Sequence, residues 1–466
     1  MREHVHFIGI GGTGISAIAR LLVEQGYQVS GSDRVLSPLA NSLRDAGVTV
    51  YVGHDPKNVT GAHWVVRSSA IPDDNPEVLS ARAKGIPVYK RSDFLGKLMR
   101  PPKLGIAVAG THGKTTTTAM IAFILTKLGQ DPSYIIGANL LDGNNAHAGT
   151  GKAFVIEADE YDRMFLGLRP TYAIITNIEH DHPDIYPTQS EYMSAFEQFA
   201  QLVPLEGALI ADGTNPGVVR LLTHPSLVAT RKIVTSVGQN QVSSSEQIFG
   251  TLRLDGSTEL FSYDVLSLID GKPESLTLQL RVPGVHNFKN ALAALAACSL
   301  LGVSLQDAAR ALSEFTGTDR RFNIFPLSNG VTLINDYAHH PTEIQATLLA
   351  VRQKFPRSRI WAVWQPHTYS RTKTLLFDFC KSFTTADRVI ISKIYASRET
   401  DQTFSSAQVV EQMRHPAVEY IPELAQITTT LEQLLRPGDV VVVMSAGDAD
   451  QVVQDLLRKD QRKRPD

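Results

Sequence analysis

Gly110-Thr111-His112-Gly113-Lys114-Thr115-Thr116 directly follows the apolar run from Leu104 to Ala109. A glycine turn between a buried strand and a helix leaves several backbone N–H groups unpaired and pointing one way. Together with the helix N-terminus and the Lys114 ammonium, they form a cradle for phosphate oxygens. Thr115 adds a hydroxyl where nucleotide triphosphatases place a Mg²⁺ ligand. Val108 stands where the first glycine of G-x-x-x-x-G-K-[ST] falls, so the stretch is a variant P-loop. The plain alternative is a Gly/Thr-rich turn that merely opens a helix. The strand–turn–helix setting favours a nucleotide triphosphate site, with Gly110, Thr111, His112, Gly113, Lys114, Thr115 and Thr116 around the phosphates.

Working outward, strand and helix patterns alternate on both sides of this loop. Upstream, His4 to Ile10 reads as a strand, Ile15 to Gln25 as a helix and Gln28 to Ser32 as a strand ending at Asp33. Arg100-Pro101-Pro102-Lys103 reads as a linker, because tandem prolines stop both helix and ladder. Downstream, strands are expected at Ala153 to Glu157 and Tyr172 to Asn177, a helix at Ser190 to Leu202, and short β segments from about Ile248 to Val282. The helix Asn287 to Leu301 closes this unit. A third block after Thr318 alternates again, through Val331 to Asn335, Thr342 to Lys354, Arg359 to Trp364 and Asp439 to Met444. At 466 residues, about three domains are expected. The pattern predicts three tandem α/β units: a Rossmann-like unit over 1–102, a P-loop ATPase-type unit over 103–317, and a second Rossmann-like unit over 318–466. Sites belong at the C-terminal ends of their parallel strands.

Gly9-x-Gly11-x-x-Gly14 matches the dinucleotide fingerprint, and Asp33 lies 24 positions after Gly9, near the spacing of a ribose-binding carboxylate. Alone this says NAD and an NAD-dependent dehydrogenase. The physics asks only for a pyrophosphate at a helix N-terminus, which a nucleotide-sugar also carries.

Carboxylates and histidines gather at the expected sheet edge. Glu157-Ala158-Asp159-Glu160 ends a strand beside the P-loop, and Glu157 is the candidate Mg²⁺ ligand with Thr115. Asn177-Ile178-Glu179-His180-Asp181-His182 ends the next strand. Its His-x-His pair could be a zinc site, but triphosphate chemistry demands a hard cation, so His182 is assigned to a second Mg²⁺ or the transferring phosphoryl group. Asn287 and Asn290 offer amides to an adenine edge, although Asn287 equally suits an N-cap. Asp336 to Glu343 includes His340 in a turn that also suits a helix start with Pro341 at the first position. Arg371 brings a guanidinium fit for a carboxylate or phosphate.

Bulk composition is that of an ordinary globular protein, 43% hydrophobic and 20% charged, with a formal net charge of −2. That balance gives no reason to expect nucleic acid or an anionic membrane as partner. The basic tail at Arg458, Lys459, Arg462, Lys463 and Arg464 reads as a solvated terminus. Two cysteines, Cys298 and Cys380, make neither a disulfide framework nor a thiolate zinc site. The chain opens directly into a strand, without room for a signal peptide, and no apolar run approaches the ~20 residues of a membrane span. A cytoplasmic monomer or homodimer is expected.

In these motifs, taken in order, the chain resembles the Mur ligases, which build the peptidoglycan stem peptide. The similarity spans the whole chain: Phe7 to Gly14, Gly110 to Thr116, Glu157 to Glu160, Asn177 to His182, His286-Asn287 with Asn290, Arg320-Arg321-Phe322, Asp336 to Glu343 and Gln365 to Thr372. The resemblance implies an ATP- and Mg²⁺-dependent amide-bond-forming ligase. It implies that Gly9, Gly11, Gly12, Thr13, Gly14 and Asp33, with Ser68 and Ser69 after a neighbouring strand, hold a UDP-sugar and not NAD. Lys114 would hold phosphates, Thr115, Glu157 and His182 metal, and Asn287 and Asn290 adenine. Arg321 and Asp336 would reach the ribose and phosphates from the third unit, and Arg371 and His340 the amino acid and acyl phosphate. The paired glycine loops and His339-His340-Pro341-Thr342-Glu343 resemble those members that add L-alanine to UDP-N-acetylmuramate. Tyr161-Asp162-Arg163 resembles instead those that attach a recycled tripeptide, L-Ala-γ-D-Glu-meso-diaminopimelate, to the same sugar.

Overall fold

The structure, a computed structural model, describes residues 3–463 except 102, 141–144, 228–229, 239–243, 254–258, 398 and 401–402. Pro102 of the expected linker, Arg464 of the basic tail, and the outermost bounds at 1 and 466 therefore lie outside the described residues. The fold is α/β, with three sheets in tandem.

The first sheet is parallel, ordered Thr49–Val52, Gln28–Asp33, His4–Ile8, Trp64–Arg67, Val88–Lys90. The order reverses at the first strand, so a crevice opens above His4–Ile8, where the first glycine loop lies. The second sheet has ten strands among the described residues. Leu104–Ala109 sits between Tyr172–Ile175 and Ala153–Glu157, all parallel, which brings the loops after these three strands to one edge. Far from that edge, Glu246–Leu252, Phe261–Ile269 and Lys272–Leu280 run antiparallel as the short β segments. The third sheet places Val440–Ser445 between Thr332–Asp336 and Ile360–Gln365, and among the described residues only its edge strand Asn323–Pro326 is antiparallel.

Period-two burial explains why Leu104–Ala109 is apolar throughout. Ala107 and Ala109 enter a core shared with the first domain, through Phe94, Leu95 and Met99. Ile106 and Val108 enter a second core beneath the helices Lys114–Lys127 and Val285–Leu300. The first two domains also meet through glycines: a Cβ on Gly96 would fall 2.1 Å from the Gly167 carbonyl oxygen. Cys298 is buried and Cys380 half-buried, both as free thiols. Among the described residues, no helix is long and apolar enough to cross a membrane.

Helix starts differ slightly from expectation. The first helix begins at Thr13 because Gly12 is its N-cap. Gly284, at φ 96°, caps the helix Val285–Leu300, so Asn287 is not its N-cap; the Asn287 amide donates to the Pro283 carbonyl at 2.7 Å.

Candidate active site

The P-loop is built on two glycines that nothing else replaces. Gly110 has φ 134°, and a Cβ there would lie 2.0 Å from Thr176 Oγ1. Gly113 has φ 81°, and its Cβ would meet Asn290 Oδ1 at 2.4 Å. The loop is belted by the next strand's end: the His112 N–H donates to Asn177 Oδ1 at 2.8 Å, and Asn177 Nδ2 returns to the His112 carbonyl at 3.0 Å. Thr111 Oγ1 donates to the Glu179 carbonyl at 2.9 Å.

Lys114 folds back over the loop, donating to the Gly110 carbonyl at 2.7 Å and to Glu160 at 2.8 Å. Burial alone would lower the ammonium pKa, but Glu160, Asp159 and Glu157 outweigh it and hold it above its ordinary value. Burial pushes the Glu160 carboxyl up more than Lys114 pulls it down. Lys114 is thus a charged group that a phosphate can take over from a carboxylate. Beside it, Thr115 Oγ1 donates to Glu157 Oε2 at 2.8 Å, the same oxygen that receives the Gly137 N–H at 2.8 Å. Two hard oxygen donors therefore converge next to the cradle, which is the donor chemistry Mg²⁺ requires. His182, at φ 52°, points to Glu160 at 3.7 Å, and its Nδ1 is buried without a hydrogen-bond partner.

The third domain closes over this edge. Asn287, Asn290, Arg321 and Asp336 line one cavity with His112, Gly113 and Thr116. Asp336 is fully engaged, accepting from the Phe322 N–H at 2.8 Å, the Ala338 N–H at 2.9 Å and Thr347 Oγ1 at 3.1 Å. Burial raises its pKa. Through the Phe322 N–H it also shapes the Arg321–Phe322 turn beside the cavity. Arg321 lies 3.8 Å from Glu343 and over the Tyr337 ring.

His340 does act as the N-cap of Pro341–Lys354, in a capping box with Glu343, and its ring sits 4.6 Å from that of His112. His112 Nδ1 is 3.2 Å from Glu343, and Nε2 is 3.5 Å from Glu179. Burial would lower the His112 pKa, yet Glu343 and Glu179 raise it to about 9. Burial and the neighbouring His112 bring His340 down to about 4. Thr342 Oγ1 adds a hydrogen bond to Glu179 at 2.6 Å. Arg371 is buried, and the carboxylate it meets is Asp181 of the central domain, at 2.8 and 3.1 Å. Burial would raise the Asp181 carboxyl, but Arg371 holds it well below the usual range. Glu160, Glu179, Asp181 and Glu343 stood inside quoted motifs without assigned roles; here each is the partner of a site cation.

At the first glycine loop, Gly9 has φ 82°, and a Cβ there would lie 3.1 Å from Ser68 Cβ. The Gly9 and Ile10 N–H groups donate to the Ser32 carbonyl, and the Gly12 N–H to the Gly9 carbonyl. Asp33 Oδ2 accepts the Gly11 N–H at 2.8 Å, so this half-buried carboxylate also braces the loop. Thr13 and Gly14 remain as first-turn N–H groups aimed at the crevice. The Ser68 N–H donates to the Ile8 carbonyl at 3.0 Å, and Ser69 is exposed at the rim. Arg91, which no sequence motif marked, packs against Gly14. Tyr161 sets its ring 5.2 Å from His182, while Arg163 lies over Tyr186.

Comparison with known proteins agrees with this architecture. Residues 4–102 match the Mur ligase family catalytic domain, 108–298 the Mur ligase middle domain, and 320–447 the Mur ligase glutamate ligase domain. The chain is 41% identical to the UDP-N-acetylmuramate–L-alanine ligase of Roseiflexus sp. RS-1, over 98% of this chain and 99% of that one. Its fold resembles the crystal structure of the UDP-N-acetylmuramate–alanine ligase of Thermotoga maritima, with TM-score 0.78, 29% identity and coverage of 99% and 100%. It also resembles a murein peptide ligase of Psychrobacter arcticus, with TM-score 0.69, 28% identity and full coverage of both chains. Three consecutive family domains and a full-length relative at this identity mean that the chain belongs to the Mur ligase family.

Proposed function

We propose that this protein is an ATP-dependent ligase that joins UDP-N-acetylmuramate to L-alanine in peptidoglycan synthesis. The observation that carries the reading is the Lys114–Glu160 and Thr115–Glu157 pairing at the start of the P-loop helix, where His112, Gly113 and Thr116 of the same loop line a cavity with Arg321 of the third domain. Family membership and relatives named for UDP-N-acetylmuramate speak against the NAD-dependent dehydrogenase and support a UDP-sugar at the first glycine loop. The full-length relative at 41% identity bears the L-alanine name, and this supports the amino acid over the tripeptide.

In this reading, residues 1–102 hold the UDP-sugar, 103–317 the ATP, and 318–466 the amino acid while closing over both. The sugar's lactyl carboxylate attacks the γ-phosphorus of ATP, giving an acyl phosphate and ADP. The amine of L-alanine then attacks the acyl carbon, and phosphate departs as the amide forms. Lys114 trades Glu160 for the β- and γ-phosphates and neutralises the approach of two anions. Thr115, Glu157 and His182 would hold Mg²⁺, which supplies further charge neutralisation at the phosphates. Asn287 and Asn290 flank the base beside Gly113, with Arg321 over the phosphates. Closure through His112–Glu343 and Arg371–Asp181 keeps water from the acyl phosphate.

The test is phosphate release from ATP with UDP-N-acetylmuramate, offering L-alanine, glycine, L-serine and the tripeptide in turn. The expected result is turnover that needs the UDP-sugar and is fastest with L-alanine. Preference for the tripeptide, or phosphate release independent of the sugar, overturns the proposal.

A further inference from the structure

Arg91 opens the helix Arg91–Leu98 and lies flat on the first glycine loop. A Cβ on Gly14 would sit 1.7 Å from Arg91 Nη1 and 2.9 Å from Cζ, so the guanidinium occupies the space a side chain at 14 would need. This gives the third glycine of the motif a local reason: it makes room for a cation.

The placement is electrostatically costly as it stands. Gly14 is in the first turn of Thr13–Glu24, the positive end of the helix, and that turn contains no acidic residue and no side-chain cap. A cation against a helix N-terminus is unfavourable, whereas an anion there is favourable. Asp159 of the central domain's acidic loop lies 3.7 Å from Nη2. The same nitrogen also contacts the Met164 sulfur. The guanidinium is about one-quarter exposed, and its backbone is pinned by the packing of Ser92 and Gly96 on Gly167. A fixed cation, two first-turn N–H groups and an open crevice define the requirements of a diphosphate.

We propose that Arg91 is the side-chain cation of the diphosphate subsite, and that it exchanges Asp159 for the diphosphate when the UDP-sugar binds. This rests on the function proposed above and extends it: Asp159 competes with the substrate for the same guanidinium. It also links the two nucleotide sites, because Asp159 belongs to the loop that carries Glu157 and Glu160.

The exchange makes predictions of opposite sign. Binding of UDP-N-acetylmuramate, UDP and an ATP analogue is measured by calorimetry on the full-length protein. Arg91→Gln weakens both uridine nucleotides by about tenfold or more, leaving the ATP analogue unchanged; Arg91→Lys, which keeps charge but not the fork, falls between. Asp159→Asn retains the oxygen that accepts the Tyr161 N–H and tightens UDP about threefold or more, because the competitor has lost its charge. Melting temperatures of all variants establish folding, and Arg91→Lys carries the test if the glutamine variant does not fold. Unchanged UDP affinity in the Arg91 variants, or weakened affinity in Asp159→Asn, overturns the exchange. A wild-type protein that binds ATP but no uridine nucleotide strikes the function itself, and this assignment with it.

Discussion

Replacing Arg371 by methionine removes the only cation hydrogen-bonded to Asp181 among the described residues, while keeping most of the buried volume. The pair spans 190 residues and two domains, and its side chains are 4% and 3% exposed. Stripping one partner from a buried pair costs about 3–5 kcal/mol, because the survivor is left charged and unsolvated. Here the chain has a cheaper escape. The third domain swings away and hydrates Asp181, so the loss is capped by the free energy of closure. At about 3 kcal/mol the closed state loses more than a hundredfold in population. Small-angle scattering of the ligand-free protein reads this directly, as a larger radius of gyration for Arg371→Met. The double variant Arg371→Met, Asp181→Leu removes the stranded charge and recovers the compact form. Unchanged scattering in the single variant, or no recovery in the double, refutes the claim that this pair holds the domains together.

Gly113→Ala forces a side chain into φ 81° and to 2.4 Å from Asn290 Oδ1. It is expected to cost about 1–2 kcal/mol in backbone strain and to abolish ATP binding, read by melting temperature and calorimetry. Closure is expected to depend on pH. His112 is raised from 6.5 to about 9, so its ion pairs contribute fully below 6.5 and fade as pH climbs through 9. His340 is lowered from 6.5 to about 4, so it is neutral in the closed site, and acid below 6.5 opens it. The compact form is therefore most favoured near pH 6.5 and declines toward 4 and toward 9, measured by scattering across pH, and His112→Asn removes the alkaline limb. Glu157→Gln keeps the Thr115 hydrogen bond but weakens Mg²⁺ dependence, seen as at least about a tenfold rise in the Mg²⁺ needed for half-maximal phosphate release.

What was legible in the sequence depended on contacts close in the chain. A strand, a glycine turn and a lysine at a helix start are neighbours, and their geometry follows from local φ values at Gly110 and Gly113. The sheet-edge loops were legible for the same reason, since the C-terminal ends of adjacent parallel strands share an edge. That Asn287, Asn290, Arg321 and Asp336 would line one cavity came from the family resemblance. Partners across domains were not legible: nothing near Arg371 marks Asp181, and nothing near Gly14 marks Arg91. Asp33 shows the limit of spacing arguments. Its position suits a ribose ligand, and spacing alone did not show that the Gly11 N–H also donates to its Oδ2.

The central claim is that two glycine turns in successive sheets grip two different nucleotides. Calorimetric titration of Lys114→Ala and Gly14→Ala with an ATP analogue and with UDP-N-acetylmuramate tests it most directly. Lys114→Ala should lose the ATP analogue and keep the UDP-sugar, and Gly14→Ala, by displacing Arg91, should do the reverse. Loss of both ligands in both folded variants, or the opposite pairing, would contradict it.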